Sequence, residues 1–262
     1  MSWDRQITIK SKDELKLMRE AGVINAEALK AAAAACVPGA TTYDVNAAAE
    51  KVHHHYGVIS PFRGVNAGPI PFPANTCTSV NNILVHGIPS KKHVLKEGDI
   101  VTVDCGTTYK GYVADSAITI PVGKISEAAE KLIQVTESSL YEGIQRMRVG
   151  FHTGDVSAAI QEYVESRGYF LTKQYTGHGV GRQMWEAPQV PNYGIAGQGV
   201  RLKAGIVIAI EPMVLVGTEK TKVLNDGWAV SSADNSLTAH YEHSIAVTED
   251  GPMVLTLDAD GN

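Results

Sequence analysis

An approximate internal repeat constrains the fold of this chain more than any other feature of its sequence. Each copy opens with a glycine turn, offers a threonine suited to cap a helix (Thr41 or Thr42, then Thr153), and ends at another glycine. At an offset of 111 residues the first copy matches the second at Gly39, Asp44, Val45, Ala48, Gly57 and at Gly150, Asp155, Val156, Ala159, Gly168. A further helical stretch precedes each copy, at 13–36 and 126–147, so each half is predicted to begin helix, turn, helix.

A second match follows in the same order, at an offset of 107. Residues 95–98 (Leu-Lys-Glu-Gly) correspond to 202–205 (Leu-Lys-Ala-Gly), and each precedes an apolar run rich in β-branched residues, at 100–103 and 206–210. Such runs predict buried strands. The sequence therefore predicts one α+β domain over residues 1–262, built from two pseudo-equivalent halves near 1–122 and 123–262.

Acidic residues occupy unexpected places in these strands. Asp104 follows the first apolar run, residues 107–111 are turn-like, and residues 112–121 predict a returning strand that contains Asp115. A hairpin centred between Tyr109 and Lys110 places Asp104 directly opposite Asp115, and opposed like charges destabilise a hairpin. A bound cation removes this conflict. The alternatives are a solvent-exposed pair and an error of register.

Three further residues extend the pattern. Glu211 follows the second apolar run, Glu242 falls in a strand predicted over 238–247, and His178 lies between glycines that allow close approach of a ligand. Four carboxylates and one imidazole, with no thiolate, favour ions such as Mn(II), Fe(II), Co(II) or Zn(II), and four negative charges match two divalent ions. Two such ions can hold a water between them and lower its pKa, which predicts hydrolysis of an unactivated bond such as an amide.

Composition excludes several classes of protein. The net charge of −5 argues against a nucleic-acid partner or an anionic lipid surface, and three scattered cysteines do not form a disulfide framework. The longest run of low polarity, residues 31–37, is far shorter than a membrane span. Residues 1–6 begin no apolar stretch of the kind found in a secretory signal. We therefore expect a cytoplasmic protein without membrane contact.

The ordered set Asp104, Asp115, His178, Glu211 and Glu242 resembles that of the type I methionine aminopeptidases. The flanking segments at 82–89 (Asn-Ile-Leu-Val-His-Gly-Ile-Pro), 177–182, 210–213 and 241–244 match as well, so the resemblance covers essentially the whole chain. It implies the pita-bread fold, a pseudo-twofold pair of helix-helix-strand halves around a central antiparallel sheet. It also implies removal of the initiator methionine from nascent proteins and peptides, with a small second residue preferred.

The resemblance further implies individual roles. Asp104 and Glu242 would bridge two divalent ions (cobalt, manganese, iron, nickel or zinc), Asp115 would chelate one ion, and His178 with Glu211 would complete the shell of the other. Glu211 would also handle the proton of the metal-bridging water, and His86 would contact the substrate and stabilise the tetrahedral intermediate. The methionine pocket would be lined by Phe72, Cys77, Met184 and Trp228. A monovalent cation is expected near Asn81 and Ile83, and the expected state is a monomer that touches the ribosome transiently.

Two features depart from the family pattern. Trp185 stands where the family has a histidine that contacts the substrate backbone, and an indole N–H can donate a hydrogen bond but can neither accept one nor change its protonation. The loop at 65–70 is longer than the usual form, so the family pattern does not determine the outer wall of the pocket. Two alternatives follow from these departures: a dimetal hydrolase of the same fold with weakened or shifted specificity, and a non-catalytic peptide-binding protein.

Overall fold

Two pairs of helices, each followed by a run of strands, make up residues 7–261, the part of the chain that the computed structural model describes. Residues 1–6, on which the expectation of no secretory signal rests, lie outside the described residues. The helices are α1 Lys12–Ala34, α2 Thr42–Tyr56, α3 Glu127–Ile144 and α4 Thr153–Glu165. The strands are β1 Thr76–Val80, β2 Ile83–Val85, β3 Ile100–Tyr109, β4 Tyr112–Pro121, β5 Phe170–Leu171, β6 Gly177–Gly179, β7 Glu186–Val190, β8 Val207–Ile210, β9 Met213–Leu215, β10 Thr221–Val223, β11 Val230–Ser232, β12 Thr238–His240, β13 His243–Thr248 and β14 Gly251–Val254.

The helix caps explain why the second helix of each half begins where it does. Thr41 caps α2, and its backbone N–H in turn donates to Asp44 at 2.8 Å, which forms a capping box. The corresponding cap of α4 is His152 and not Thr153, because Asp155 accepts from the backbone N–H of His152 at 2.7 Å. The prediction of Thr153 as the cap was wrong by one residue.

The sequence repeat is also a repeat of hydrogen bonds. The N–H of Gly39 donates to the carbonyl of Leu95 at 2.9 Å, and at the corresponding positions Gly150 donates to Leu202 at 3.0 Å. An isolated bridge joins Thr41 to Val94 in the first half, and another joins His152 to Arg201 in the second. Thr41 and His152 are 111 residues apart and Val94 and Arg201 are 107 apart, the same two offsets. These equivalent contacts confirm the pseudo-twofold pair of helix-helix-strand halves.

Two antiparallel sheets carry most of the strands. One has the order β1-β3-β4 and packs against α1 and α2, and the other has the order β14-β13-β8-β6-β7 and is associated with α3 and α4. Two small sheets, β10-β11-β2 and β12-β9-β5, complete the architecture. The sheets meet where Ala117 of β4 and Glu242 exchange backbone hydrogen bonds of 3.2 and 2.8 Å.

Glu242 therefore lies at a junction and not inside a continuous strand. The strand predicted over 238–247 is divided into β12 and β13, because the chain passes from the β12-β9-β5 sheet to the five-stranded sheet between His240 and His243.

Each half has its own apolar core. In the first half, Leu29 and Val45 of the helices pack with Val101 and Val103 of β3. In the second half, a larger cluster joins residues of α3 and α4 to Ile208 and to the other apolar residues of β8 and β13. The apolar strands are buried on both faces, as unbroken β-branched runs predict. Within residues 7–261, no helix combines the length and the apolar character needed to cross a bilayer.

Candidate active site

Asp104 and Asp115 lie on the same face of the β3–β4 hairpin but are not directly opposed. Tyr109 pairs with Tyr112, so Asp104 faces Ala117 and Asp115 faces Gly106. The predicted pairing was wrong because the turn consists of Lys110 and Gly111 alone, with φ of 48° and 80°, as a two-residue type I′ turn requires. The partner of Asp104 is therefore shifted by two residues along β4, from Asp115 to Ala117. A shift of two residues keeps both aspartates on the same face, because side chains alternate with a period of two. The two aspartates are therefore diagonal neighbours.

The other acids and the histidine come from the second half. Glu211 follows β8 directly, Glu242 lies at the junction of the sheets, and His178 is the central residue of β6, which pairs with β8. Nε2 of His178 lies 3.5 Å from Oε1 of Glu211 and 3.8 Å from Oδ2 of Asp115. Two donors on a shared zinc-like ion, with bonds of about 2.0–2.2 Å, lie roughly 3–4 Å apart. These spacings fit a metal centre.

The closest grouping of ligand atoms contains Asp115, His178 and Glu242, whose donor atoms all lie within 4.8 Å of one another. Glu211 joins this set through His178. Asp104 is close enough for its charge to raise the pKa of Glu211, although burial and Asp115 contribute more to that shift. All five residues predicted as metal ligands therefore gather at one place and line one cavity.

Burial makes this cluster unfavourable without a cation. Burial is the main cause that raises the pKa of each acid: that of Asp115 rises to about 7, and those of Asp104, Glu211 and Glu242 rise well above their ordinary values. Three buried carboxylate oxygens have no hydrogen-bond partner, namely Oδ1 of Asp104, Oδ1 of Asp115 and Oε1 of Glu242. Buried carboxylates are normally paired or bound to a metal. The donor set and its unpaired oxygens fit divalent metal ions.

His178 is prepared to act as a metal ligand. Its Nδ1 lies 2.9 Å from the carbonyl oxygen of Gly179, so Nδ1 carries the proton and Nε2 presents its lone pair to the acids. Burial lowers its pKa to about 4, which keeps the ring neutral near pH 7. This use of a backbone carbonyl to set the tautomer is common among metal-binding histidines.

An apolar cavity of about 290 Å³ opens onto the acid cluster. Four of the residues that line it are those predicted for the methionine pocket: Phe72, Cys77, Met184 and Trp228. Phe72 and Trp228 meet edge to face, with ring centroids 5.1 Å apart. Cys77 pairs with Asp104 across β1 and β3, which joins the apolar wall to the acids.

The longer loop at 65–70 forms part of the outer wall. Val65 and Ala67 line the cavity, and the indole N–H of Trp228 donates to the carbonyl of Ile70 at 2.8 Å. Gly68 lies so close that a Cβ added to it would stand 2.6 Å from Nε1 of Trp228. The loop therefore packs directly on Trp228 and supplies the part of the outer wall that the family pattern did not determine.

His86 and Trp185 both line the cavity that opens onto the acids. His86 has a left-handed backbone, with φ of 60°, and burial lowers its pKa to about 4. Its ring meets those of Tyr175 and Trp228 at centroid distances of 5.8 and 6.5 Å. Trp185 is half-buried, and its ring centroid lies 6.5 Å from that of His178. The indole therefore stands beside the metal-ligand cluster, as its sequence position predicted.

The segment expected near a monovalent cation supplies converging oxygen atoms. The hydroxyl of Thr238 lies 3.0 Å from the carbonyl oxygen of Asn81 and 3.0 Å from that of Ile83. Occupation of this place by a cation stays a prediction.

One residue of the site was missed. His240 is fully buried beside the acids, with Nε2 3.9 Å from Glu211 and 3.8 Å from Glu242. Burial, followed by the neighbouring His86, lowers its pKa to about 3, so the ring is neutral. The signal was present in the sequence, because His240 lies two residues before Glu242 in a segment predicted to be a strand.

The fold and this cluster of ligands define a metallopeptidase. A sequence profile described as metallopeptidase family M24 matches residues 16–249, and the chain belongs to that family.

Within the family, the chain groups with the methionine aminopeptidases. It is 47% identical over 251 residues to the methionine aminopeptidase of Clostridium acetobutylicum, a match that covers 96% of this chain and 99% of the relative. The crystal structure of the methionine aminopeptidase of Thermotoga maritima superposes with a TM-score of 0.93 at 42% identity, over 96% of this chain and 99% of that one.

The prolidase of Pyrococcus horikoshii shares the fold. Its structure superposes with a TM-score of 0.73 at 23% identity, over 95% of this chain and 63% of the prolidase. These comparisons confirm the predicted family and the pita-bread fold.

Proposed function

We propose that this chain is a dimetal aminopeptidase that removes the N-terminal methionine from nascent proteins and peptides. The observation that carries the proposal is the continuity of one cavity, whose walls combine the acids and His178 with the apolar side chains of Phe72, Met184 and Trp228. A hydrolytic centre next to a pocket for an unbranched apolar side chain suits cleavage after a terminal methionine. The soft, polarisable walls, Cys77 and Met184, complement a thioether.

The metal centre draws on both halves of the chain. Asp104 and Glu242 would bridge two ions, Asp115 would bind one of them, and His178 with Glu211 would bind the other. When bound, two divalent ions lower the pKa of a water molecule and polarise the scissile carbonyl. Cobalt, manganese, iron, nickel and zinc all accept oxygen and imidazole ligands, so availability decides which ion is used.

The remaining chemistry belongs to the side chains. Glu211 accepts the proton that the attacking water loses as its oxygen bonds to the carbonyl carbon. The proton is then delivered to the nitrogen of the leaving peptide as the C–N bond breaks. His86, neutral because of its burial, donates its single ring N–H toward the substrate and stabilises the charge that develops on the carbonyl oxygen.

Trp185 sets the preference at the second residue of the substrate. Its indole lines the cavity, and its ring centroid lies 6.5 Å from that of His178. In this proposal the substrate chain beyond the scissile bond passes the indole. A bulky second side chain would compete with the indole for this space, so glycine, alanine and serine are favoured there. The cytoplasm, where nascent chains emerge from the ribosome, is the compartment that this substrate implies, and the protein acts there as a monomer with transient ribosome contact.

The specific observation that favours a second candidate is the same tryptophan. A dimetal hydrolase with a shifted substrate would keep the metal ligands and change the contacts beside the scissile bond, and Trp185 changes such a contact. Retention of all five ligand residues around one cavity, in contrast, argues against a peptide-binding protein without activity.

The proposal is tested on protein stripped with a chelator and reloaded with one metal at a time. We expect methionine to be released from Met-Ala-Ser and from Met-Gly-Met-Met with at least one of manganese, iron, cobalt, nickel and zinc, and no release from Leu-Ala-Ser. The control is His178→Ala, which removes a ligand and leaves the apolar pocket intact. Metal binding without methionine release from either peptide would favour the shifted hydrolase. Failure to bind any of the five metals would refute both.

A further inference from the structure

His240 is the buried imidazole that the proposed mechanism does not use. It ends β12, it is 1% exposed, and neither ring nitrogen has a hydrogen-bond partner. Among the histidines of residues 7–261 it alone has both ring nitrogens buried and unpaired. Buried polar atoms are ordinarily satisfied, and each exception requires an explanation.

The unpaired ring faces two proposed metal ligands. Nε2 lies 3.9 Å from Oε2 of Glu211 and 3.8 Å from Oε2 of Glu242, beyond hydrogen-bond range but within one small side-chain rotation of it. Glu211 thus lies between two imidazoles: Oε1 faces His178 and Oε2 faces His240. In the proposed assignment the oxygen on the His178 side would bind the metal, which leaves the other oxygen to accept a hydrogen bond.

The backbone of His240 is fixed, so the ring is held at this place. Its N–H donates to the hydroxyl of Thr119 at 3.0 Å, and its carbonyl accepts from the same hydroxyl at 2.9 Å. It also pairs with Met213 in β9. An apolar side chain of similar volume would fill the same space without two unpaired nitrogens.

We propose that His240 is a positioning residue of the metal centre: its Nε2–H donates to the facing oxygens of Glu211 and Glu242 and fixes the direction in which each carboxylate presents its other oxygen. This inference rests on the proposed function, because it assigns those carboxylates to metal ions. The oxygens that His240 faces are Oε2 of Glu211 and Oε2 of Glu242, whereas His178 faces Oε1 of Glu211. Partners of this kind typically change metal affinity by about 10- to 100-fold.

The role makes opposite predictions for metal binding and for the stability of the metal-free protein. In His240→Leu, we expect the affinity for Mn(II), measured calorimetrically on chelator-treated protein, to fall by about 10- to 100-fold. The apo melting temperature should stay the same or rise, because the change removes unpaired polar atoms without breaking a hydrogen bond of the ring. In His240→Gln the side-chain NH₂ reaches roughly the place of Nε2, and we expect affinity within a few-fold of wild type.

A second buried histidine provides the matched control. Nε2 of His53 lies 2.9 Å from the hydroxyl of Thr107, and its Nδ1 lies 3.3 Å from the amide nitrogen of Asn75. His53→Leu breaks this structural network, so it should lower the apo melting temperature and leave Mn(II) affinity unchanged. A structural histidine and a positioning histidine thus give opposite patterns.

Two results would overturn the proposal: wild-type Mn(II) affinity in His240→Leu, or a drop in its apo melting temperature like that of His53→Leu. If His240→Leu does not fold, His240→Asn replaces it. An asparagine NH₂ corresponds to Nδ1 and cannot reach the carboxylates, so equal affinities of the Asn and Gln variants would also overturn the proposal. If wild-type protein binds no Mn(II) or other divalent ion, it is the proposed function that fails.

Discussion

Replacement of Asp115 by asparagine should stabilise the metal-free protein although it removes a proposed metal ligand. Asp115 is 2% exposed, and burial raises its pKa from 3.8 to about 7. Each pKa unit corresponds to about 1.4 kcal/mol, so ionising this carboxyl in the folded apo protein costs up to about 4 kcal/mol. The amide carries no charge and avoids that cost. If its new NH₂ group found no partner it would lose about 1–3 kcal/mol, but the neighbouring Glu242 carboxylate is an available acceptor.

The sign of the effect depends on pH. A carboxyl whose folded pKa is raised gives its full contribution to stability below its unfolded pKa, near 3.9, and loses it as pH rises through the folded value of about 7. Apo wild type should therefore lose stability between about pH 4 and pH 8. The advantage of Asp115→Asn should be largest at pH 8 and should vanish near pH 4, where the aspartate is protonated in both states.

The assay is calorimetry in excess chelator at pH 5 and pH 8. A net gain of about 1–4 kcal/mol corresponds to a rise of roughly 2–16 °C in the melting temperature of a domain of this size. The control is Asp250→Asn in the exposed turn between β13 and β14, which should shift neither value appreciably. An apo melting temperature of Asp115→Asn at or below that of wild type at pH 8 would refute the reasoning that the acids repel in an unpaired, buried cluster.

Three further predictions test other parts of the site. Trp185→His should raise kcat/KM on Met-Ala-Ser by about 10- to 1000-fold, because an imidazole can restore a transition-state hydrogen bond of about 1.4–4 kcal/mol. Steady-state kinetics of the two proteins test this. If the tryptophan form is equally or more active, the indole itself contributes to catalysis. Glu242→Gln should abolish turnover and lower the metal content measured by mass spectrometry, because an amide supplies no charge at a position proposed to bridge two ions. Full activity with two ions per chain would contradict the dimetal assignment. Gly68→Ala should raise KM for methionyl peptides by about 10-fold and change kcat less. The added methyl would stand 2.6 Å from Nε1 of Trp228, so it must displace the pocket wall. An unchanged KM would show that this wall does not contact the substrate.

The sequence predicted the repeated helices well because their determinants are local. Ser11 and Thr41 cap α1 and α2 through side-chain contacts three residues away, and Gly57 ends α2 in a left-handed conformation. Capping boxes, glycine stops and apolar spacing are all legible within one turn of helix. The observed bounds differ from the predicted ones by one to three residues at most ends.

The β3–β4 register depends on which two residues form the turn, and composition does not determine this. Residues 107–111 all have turn-like character, but only Lys110 and Gly111 take positive φ, and β3 continues to Tyr109. The shared face of Asp104 and Asp115 was predicted correctly nonetheless, because a register error of two residues leaves the alternation of side chains unchanged. The chemistry of the site was therefore more robust to this error than the pairing itself.

Two contacts, that of His240 with Glu211 and that of the 65–70 loop with Trp228, could not be predicted from the sequence for a different reason. Both depend on which atoms remain unpaired or come within contact distance after distant segments meet. The indole of Trp228 reaches Ile70 across 158 residues, and the carboxylate of Glu211 reaches His240 across a change of sheet. No local periodicity encodes such contacts.

The position of two of the acids in the repeat supports the proposal that the centre binds two ions. Asp104 and Glu211 stand 107 residues apart, the offset that relates 95–98 to 202–205, so they are equivalent residues of the two halves. Each follows an apolar strand segment, and neither half alone supplies enough donors for a closed shell. Where the sheets meet, at Ala117 and Glu242, the two acids face a common space that carries excess negative charge. Two cations divided between equivalent acids would balance that charge better than one, and their binding would join the two halves at a place where burial raises the pKa of four acids.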